Sequence, residues 1–194
     1  MQRRPLCGLV LALAACLVAP VAAWAKPFHY RLDPERSVVG FETDFGQSVI
    51  RGRMPVDAAD LTLDFDAVTA SQVSVTLNAD GARANFPFAT QAMRGEAVLA
   101  TRQFPEIRFQ STAVRADGPG ALVTGEITIR GVTRPVTLEA RLFRDEGTQP
   151  GERDNLAIRL TGAVSRAAFG ATGFADMVGD EVRLNILAHI KRDN

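Results

Sequence analysis

Apolar and polar residues alternate one by one through much of this chain, most clearly over residues 123–142. Before Gly131 the odd positions are mostly apolar and the even ones are Thr, Glu or Arg; after it the phase reverses. A period of two places one set of side chains on a dry strand face and the other toward water. Gly131 permits a tight reversal, and Pro135, which cannot donate to a sheet ladder, belongs at a strand start, an edge or a bulge. The segment therefore predicts a β-hairpin with one apolar face and one polar, threonine-rich face.

The same alternation predicts further strands along the chain, separated by turn-forming residues. They cover residues 28–32, 37–43, 48–54, 61–66, 72–77, 104–111, 156–165 and 182–191. Asp64 and Asp66 fall on the polar face of the strand over 61–66. We therefore expect both carboxylates to be solvated rather than to belong to a calcium loop.

Residues 79–104 interrupt the β pattern. The spacing of apolar residues over 90–99 predicts one or two short helices inserted between strands. Eight or more amphipathic strands joined by short turns favour closure of the sheet, since a closed sheet has no exposed edges. An antiparallel barrel of roughly eight strands is just wide enough to be filled by side chains or to hold one slim ligand. Periodicity alone allows a β-sandwich equally well.

The first 25 residues have the organisation of a secretory signal peptide, with a basic start, an apolar run and a small-x-small pattern at 23–25. We expect cleavage after Ala25, which leaves one domain over residues 26–194. Pro20 and the cleavage pattern argue against a transmembrane anchor. A second alternative is a lipoprotein acylated at Cys16, although the residues that follow Cys16 stay apolar where a lipoprotein tether is usually polar.

Cleavage changes the composition of the chain. It removes both cysteines and the only tryptophan, so the mature domain has no disulfide, thiol nucleophile or cysteine metal site. Loss of Arg3 and Arg4 leaves 20 basic against 22 acidic residues and a net charge of about −2. That balance does not suggest nucleic acid or an anionic membrane surface as a partner.

The hairpin also carries a resemblance to a known family. Residues 125–140 read Gly-Glu-Ile-Thr-Ile-Arg-Gly-Val-Thr-Arg-Pro-Val-Thr-Leu-Glu-Ala. This sequence resembles the signature hairpin of the YceI-like family, secreted bacterial proteins that bind polyisoprenoid lipids. Other landmarks of that family occur here in the same order, namely Tyr30, Asp33, Ser37, Phe41, Gly46, Ser48, Gly52, Met93-Arg94-Gly95, Phe104-Pro105, Ile107, Phe109, Ser111, Arg166, Phe169-Gly170 and residues 179–182. Histidines common near the second strand of that family are absent, and residues 82–88 are more apolar than usual.

The resemblance implies an all-β fold with a short helical insert, a lipocalin-like antiparallel β-barrel of about eight strands. It implies a periplasmic carrier that holds a polyisoprenoid, an isoprenoid quinone or a similar long-chain amphiphile in the barrel cavity without chemistry. It also implies a homodimer.

Phenylalanine and aliphatic residues suit such a cavity, because each methylene of a prenyl chain contributes only about 0.8 kcal/mol when buried and a long dry tube is needed. The side chains expected to line the tube are Phe41, Ile50, Phe86, Phe88, Met93, Phe104, Phe109, Ile127 and Phe169. Arg94 and Arg166 are the candidate head-group contacts. Close packing is the default for apolar side chains, so the alternative is a filled barrel that acts as a periplasmic stress-response or respiratory accessory interaction module.

Residues for catalysis or metal binding are scarce. His29 and His189 are the only histidines, one on each terminal strand, and no P-loop, His-Glu-x-x-His or Gly-x-Ser-x-Gly motif occurs. If the terminal strands pair, the two histidines could join carboxylates in a metal site, but partly exposed strand residues are the simpler interpretation. We expect the protein to have no enzymatic activity and to bind no metal ion and no cofactor. An enzyme acting on lipid through His29 or His189 is the third class of function.

Overall fold

The computed structural model describes residues 27–144, 149 and 151–193; the predicted signal peptide and Cys16 lie outside the described residues. The chain forms one short helix, α1 (Pro87–Arg94), and strands β1 (Phe28–Leu32), β2 (Val38–Phe45), β3 (Ser48–Met54), β4 (Val56–Leu63), β5 (Gln72–Asn78), β6 (Arg83–Ala84), β7 (Glu106–Asp117), β8 (Gly120–Ile129), β9 (Val132–Arg144), β10 (Asn155–Ser165) and β11 (Val178–Arg192).

All the predicted strands occur, with some shifted ends. The helix begins earlier than expected because Pro87 suits its first turn, and it ends before Gly95, whose backbone is extended. The strand expected over residues 61–66 ends at Leu63, and the chain turns at Asp64. Asp64 is only 3% exposed, so the expectation of a solvated carboxylate is wrong for this residue. Asp66 is exposed, as predicted.

Backbone pairing closes the sheet into a barrel. Eight strands follow one another around the ring in the order β1, β4, β5, β7, β8, β9, β10 and β11, and β11 pairs again with β1. The closing pair is antiparallel and sets Leu32 opposite Ile190. The antiparallel eight-stranded barrel with a short helical insert is therefore confirmed, and the ring excludes a β-sandwich.

Three further strands lengthen the barrel at one end. The half of β11 that β1 does not cover pairs with β2, with Leu184 opposite Phe41. β2 pairs with β3, and β3 with β6. This end, which also carries α1, the β8–β9 turn and the loop over 166–177, is called the upper end below. The lower end carries the connection over 64–71 and the β7–β8 turn.

The hairpin of β8 and β9 has the two faces that the alternation predicts. Ile127 is buried on the inner face, whereas the hydroxyl oxygens of Thr128 and Thr133 lie 2.8 Å apart on the outer face. Gly131 has a φ of 73° in the turn, a conformation that suits glycine. Pro135 lies in the part of β9 that precedes its pairing with β10, so its missing N–H interrupts no ladder there.

Glycine makes room for aromatic rings inside the barrel. A Cβ on Gly125 would lie 2.6 Å from the ring of Phe109 and 2.5 Å from the carbonyl oxygen of Gln110. Gly52 is crowded in the same way by the ring of Phe41. These glycines therefore let the two phenylalanines approach the neighbouring backbone closely.

Arg183 of β11 ties the outer side of the β2–β11 seam. Its Nε donates to Glu42 over 3.0 Å and its Nη2 to Asp44 over 2.7 Å. Hydrogen bonding to Arg183 lowers the pKa of each carboxyl below its ordinary value, against a smaller opposing effect of desolvation. The same bonds raise the pKa of Arg183.

Gly125→Ala is expected to destabilise the barrel by about 1–3 kcal/mol, because the new methyl group must displace Phe109 and the backbone at Gln110. Urea unfolding measures the change, and Glu126→Ala, at the exposed neighbouring position, is the control. Equal stability of the two variants would contradict the close approach at Gly125.

The stability advantage of the wild-type protein over Arg183→Gln is expected to shrink in acid. Arg183 stabilises the ionised forms of Glu42 and Asp44, as their lowered pKa values show. This contribution to stability is fully present at a pH above the ordinary carboxyl pKa values. That contribution is lost as the pH falls through the lowered folded values, below about pH 4. Urea unfolding midpoints of the wild-type protein and of Arg183→Gln, at neutral pH and near pH 3, measure this difference in stability. Arg159→Gln, which removes a guanidinium lying over the ring of Phe143, is the control, and a pH-independent advantage would refute the prediction.

Candidate ligand-binding cavities

The upper end of the barrel contains a cavity of about 460 Å³. Its walls come from β2, β3, α1 with the residues on either side of it, the loop over 166–177, and parts of β5, β7, β8, β10 and β11. Among the described residues that line it, only Thr43 and Arg166 have polar side chains. The hydroxyl of Thr43 donates to the carbonyl oxygen of Gly179 over 3.1 Å, which leaves an almost wholly apolar wall.

A second cavity of about 450 Å³ occupies the lower part of the barrel. Its lining is again apolar, apart from the polar side chains of Ser37, Asp64 and Ser71. Four residues line both cavities, at the level where the two meet: Val39, Leu77, Ile127 and Leu184. The inward faces of the strands therefore leave apolar space along the barrel axis, and each cavity has a volume in the range of ordinary ligand pockets.

Large apolar side chains surround the mouth of the upper cavity and remain in contact with solvent. This apolar rim consists of Phe45, Phe86, Phe88, Phe174 and Met177, which are between 37% and 72% exposed. The amide of Gly46 donates to the carbonyl oxygen of Met177 over 3.0 Å, which links the β2–β3 turn to the adjacent loop over 166–177. Contiguous exposed apolar patches of this kind often mark ligand-binding or interaction sites.

The structure brings together most of the side chains predicted to line a cavity. Those around the upper cavity are Phe41, Ile50, Phe86, Phe88, Met93, Ile127 and Phe169. Phe109 lines the lower cavity. Phe104 lines neither; its ring packs against Gly131 at the tip of the β8–β9 hairpin, because it precedes the first residue of β7.

Other lining residues do not stand out in the sequence pattern or were not predicted from it. Phe45 and Phe174 stand in or beside turns, where no alternation assigns a face, and their positions follow from the loops that meet at the mouth. Leu184, at the junction of the two cavities, lies on the apolar face of the last predicted strand and could have been found from that pattern.

Arg166 lies in the wall of the upper cavity, but its guanidinium is used by the protein itself. It donates four hydrogen bonds to backbone carbonyl oxygens, at 2.6–2.9 Å, and the acceptors are Ala171, Gly173, Val178 and Gly179. A guanidinium has five N–H groups, so little capacity is left for a ligand. Arg166 therefore fixes the loop that carries part of the rim.

Arg94, the other predicted head-group contact, is not among the residues that line either cavity. It ends α1, and its Nη2 donates to the carbonyl oxygen of Ala82 over 3.0 Å. Ala82 is fully buried, so this bond ties the helix to the segment that precedes it.

The two histidines are not brought together. The carbonyl oxygen of His29 accepts from Asp193, and that of His189 accepts from Asp33, so the histidines stand four residues apart along the paired strands β1 and β11. His29 is exposed, with its Nδ1 3.1 Å from the hydroxyl of Thr62. Within the described part of the chain, no group of three or more His, Cys, Asp or Glu residues is placed to hold a metal ion. Nor does any described helix have the length and apolarity needed to span a bilayer.

A closed eight-stranded antiparallel barrel with an apolar axial space defines the structural class of the protein. Residues 30–190 match the model of the YceI-like domain, and the chain belongs to that family.

Curated relatives align over nearly their whole length. A UPF0312 protein of Enterobacter sp. (strain 638) is 28% identical over 179 residues, which cover 92% of this chain and 93% of the relative. The protein YceI of Salmonella arizonae is 28% identical over 175 residues, which cover 90% and 91%.

Solved structures share the fold at lower identity. BcnA of Burkholderia cenocepacia superimposes with a TM-score of 0.72 at 17% identity, over 82% of this chain and 99% of BcnA. A polyisoprenoid binding domain from Saccharophagus degradans, described as implicated in plant cell wall breakdown, gives a TM-score of 0.61 at 12% identity, over 86% of this chain and 99% of that domain.

Arg166→Lys is expected to loosen the loop over 166–177 and to destabilise the protein by roughly 1–3 kcal/mol, because an ammonium cannot reach four carbonyl oxygens held by a planar guanidinium. Hydrogen exchange at the amides of residues 171–179 should accelerate, whereas Arg159→Lys should leave it unchanged. Unchanged exchange together with weaker ligand binding would instead make Arg166 a head-group contact.

Proposed function

We propose that this protein is a non-enzymatic binding protein that carries a polyisoprenoid, an isoprenoid quinone or a similar long-chain amphiphile inside its barrel. The observation that supports this most directly is the lining of the two cavities, which is apolar except at five residues. A dry tube of this kind suits a hydrocarbon chain, since burial of each methylene contributes about 0.8 kcal/mol with no need for polar partners. The solved polyisoprenoid binding domain with the same fold supports the same ligand class.

The position of the apolar rim supports chain uptake at the upper end. Phe86 and Phe88 stand on or beside α1 and line the upper cavity together with Phe174 and Met177 of the loop over 166–177. A prenyl chain that leaves a lipid environment would therefore meet apolar side chains before it reaches the interior. The predicted signal peptide over residues 1–25, followed by a carrier domain over 26–194, would place this exchange in the periplasm.

The two other classes of function have less support. An interaction module with a filled barrel does not account for two cavities of about 460 and 450 Å³. An enzyme acting through His29 or His189 would use residues that lie four positions apart on the strands and that line neither cavity. The homodimer implied by the family resemblance stays a prediction.

Ala92→Trp is expected to weaken the binding of a fluorescent long-chain probe by roughly tenfold or more, because the indole would occupy the upper cavity that Ala92 lines. Gln91→Trp, at an exposed position of the same helix, is the matched control and should bind as the wild type does. Thermal unfolding of both variants shows whether the fold is kept. Equal affinity of the two variants would mean that the hydrocarbon chain of the probe does not bind in the upper cavity.

Mass spectrometry of the protein purified from bacterial cells tests the carrier directly. We expect a co-purifying long-chain lipid that organic solvent extracts. Absence of any lipid, together with no binding of added prenyl compounds, would refute the carrier and favour the interaction module.

A further inference from the structure

The turn that follows β4 buries a carboxylate of which one oxygen is used by the fold. Oδ1 of Asp64 accepts from the amide of Asp66 over 2.9 Å and from that of Ala67 over 2.7 Å. The amide of Asp64 itself donates to the hydroxyl of Ser71 over 2.9 Å. The backbone amides therefore hold Asp64 in one orientation, with 3% of its surface exposed.

The second oxygen of this carboxylate has no such partner. Oδ2 is buried, and no hydrogen-bond donor for it occurs among the described residues. Arg153, the cation beside this turn, instead pairs with Asp66 at 3.0 Å and lies over the ring of Phe65. A buried polar atom without a hydrogen bond is unfavourable, and such atoms are rare in native proteins.

Asp64 lies in the wall of the lower cavity. The two hydroxyls in the same wall are already engaged: that of Ser71 by the amide of Asp64, and that of Ser37 by the amide of His189 over 2.9 Å. Among the described side chains that line this cavity, Asp64 is therefore the one with a buried oxygen that makes no hydrogen bond.

We propose that Oδ2 of Asp64 accepts a hydrogen bond from the head group of the ligand. This inference rests on the proposed function as a carrier. The ligand class is a long-chain amphiphile whose head group donates a hydrogen bond, as an alcohol does. Its head group lies in the lower cavity, and its chain runs past Leu77 and Leu184 into the upper cavity.

The same geometry disfavours an anionic head group. A phosphate brought beside Asp64 would place like charges together in a wall of low polarity. None of the described residues that line the lower cavity has a basic side chain to compensate. The site therefore selects an alcohol over the corresponding phosphate ester.

The test compares three probes with one chain: 1-dodecanol, its methyl ether and dodecyl phosphate, each displacing a fluorescent lipid from the intact protein. The ether keeps the oxygen but cannot donate. The wild-type protein should prefer the alcohol to the ether by roughly tenfold or more and should bind the phosphate more weakly than either.

Asp64→Asn is the matched variant. Its amide oxygen can still accept from the amides of Asp66 and Ala67, while the group at the position of Oδ2 becomes an NH₂ donor that both alcohol and ether oxygens can accept from. The preference for the alcohol should therefore disappear. Asp60→Asn, the same change at an exposed position of β4, should retain it.

The outcomes separate this inference from the carrier proposal. Equal binding of alcohol and ether by the wild-type protein, or a preference that survives in Asp64→Asn, would overturn the role of Asp64 and leave the carrier intact. Failure of all three probes to bind would overturn both. The comparison of probes in the wild-type protein needs no variant, so it decides the question even if Asp64→Asn does not fold.

Discussion

The pairing of β11 on both of its edges is the interaction on which the rest of the structure depends. One edge pairs along its length with β10, and the other is shared, with β1 on its last residues and β2 on its first. Without its pairing with β1, the sheet would be open, with exposed edges at β1 and β11. Pairing with β1 therefore closes the interior, and pairing with β2 adds the extension that carries the mouth of the upper cavity.

Closure also limits what the interior can hold. In a ring of eight strands the opposite walls are close enough for large side chains to fill the middle. Here Phe41 and Phe109 lie close against glycines of the neighbouring strands, while Phe169 is buried in the wall, and space remains between them. Unfilled apolar space reduces stability, because its lining atoms lose packing partners. A bound hydrocarbon chain would restore those contacts and stabilise the barrel by mass action.

The polar residues of the interior show how differently two charged side chains can be used. Arg166, which is partly buried, donates to four carbonyl oxygens and so supports the loop around the mouth. Asp64 is buried, but its turn engages only one of its two oxygens. The sequence prediction named the arginines as head-group contacts, but the guanidinium of Arg166 is largely occupied by backbone carbonyl oxygens. Asp64, which the alternation pattern had assigned to solvent, instead keeps one buried oxygen without a donor.

The sequence by itself determined the strands and the β8–β9 hairpin, because alternation with a period of two and the residues of a tight turn are local properties of the chain. It also indicated the family, through the resemblance of residues 125–140 and of other landmarks that occur in the family's order. It also indicated the faces of residues inside regular strands, such as Ile127 and Phe41. Only the tertiary structure decided that the sheet closes, since the contact of Leu32 with Ile190 joins residues far apart in sequence. It also decided which residues in turns face the cavity: Phe45 does, whereas Phe104 covers Gly131. The burial of Asp64 and the empty space along the barrel axis depend on the distance between opposite walls of the barrel. No local pattern in the sequence determines that distance.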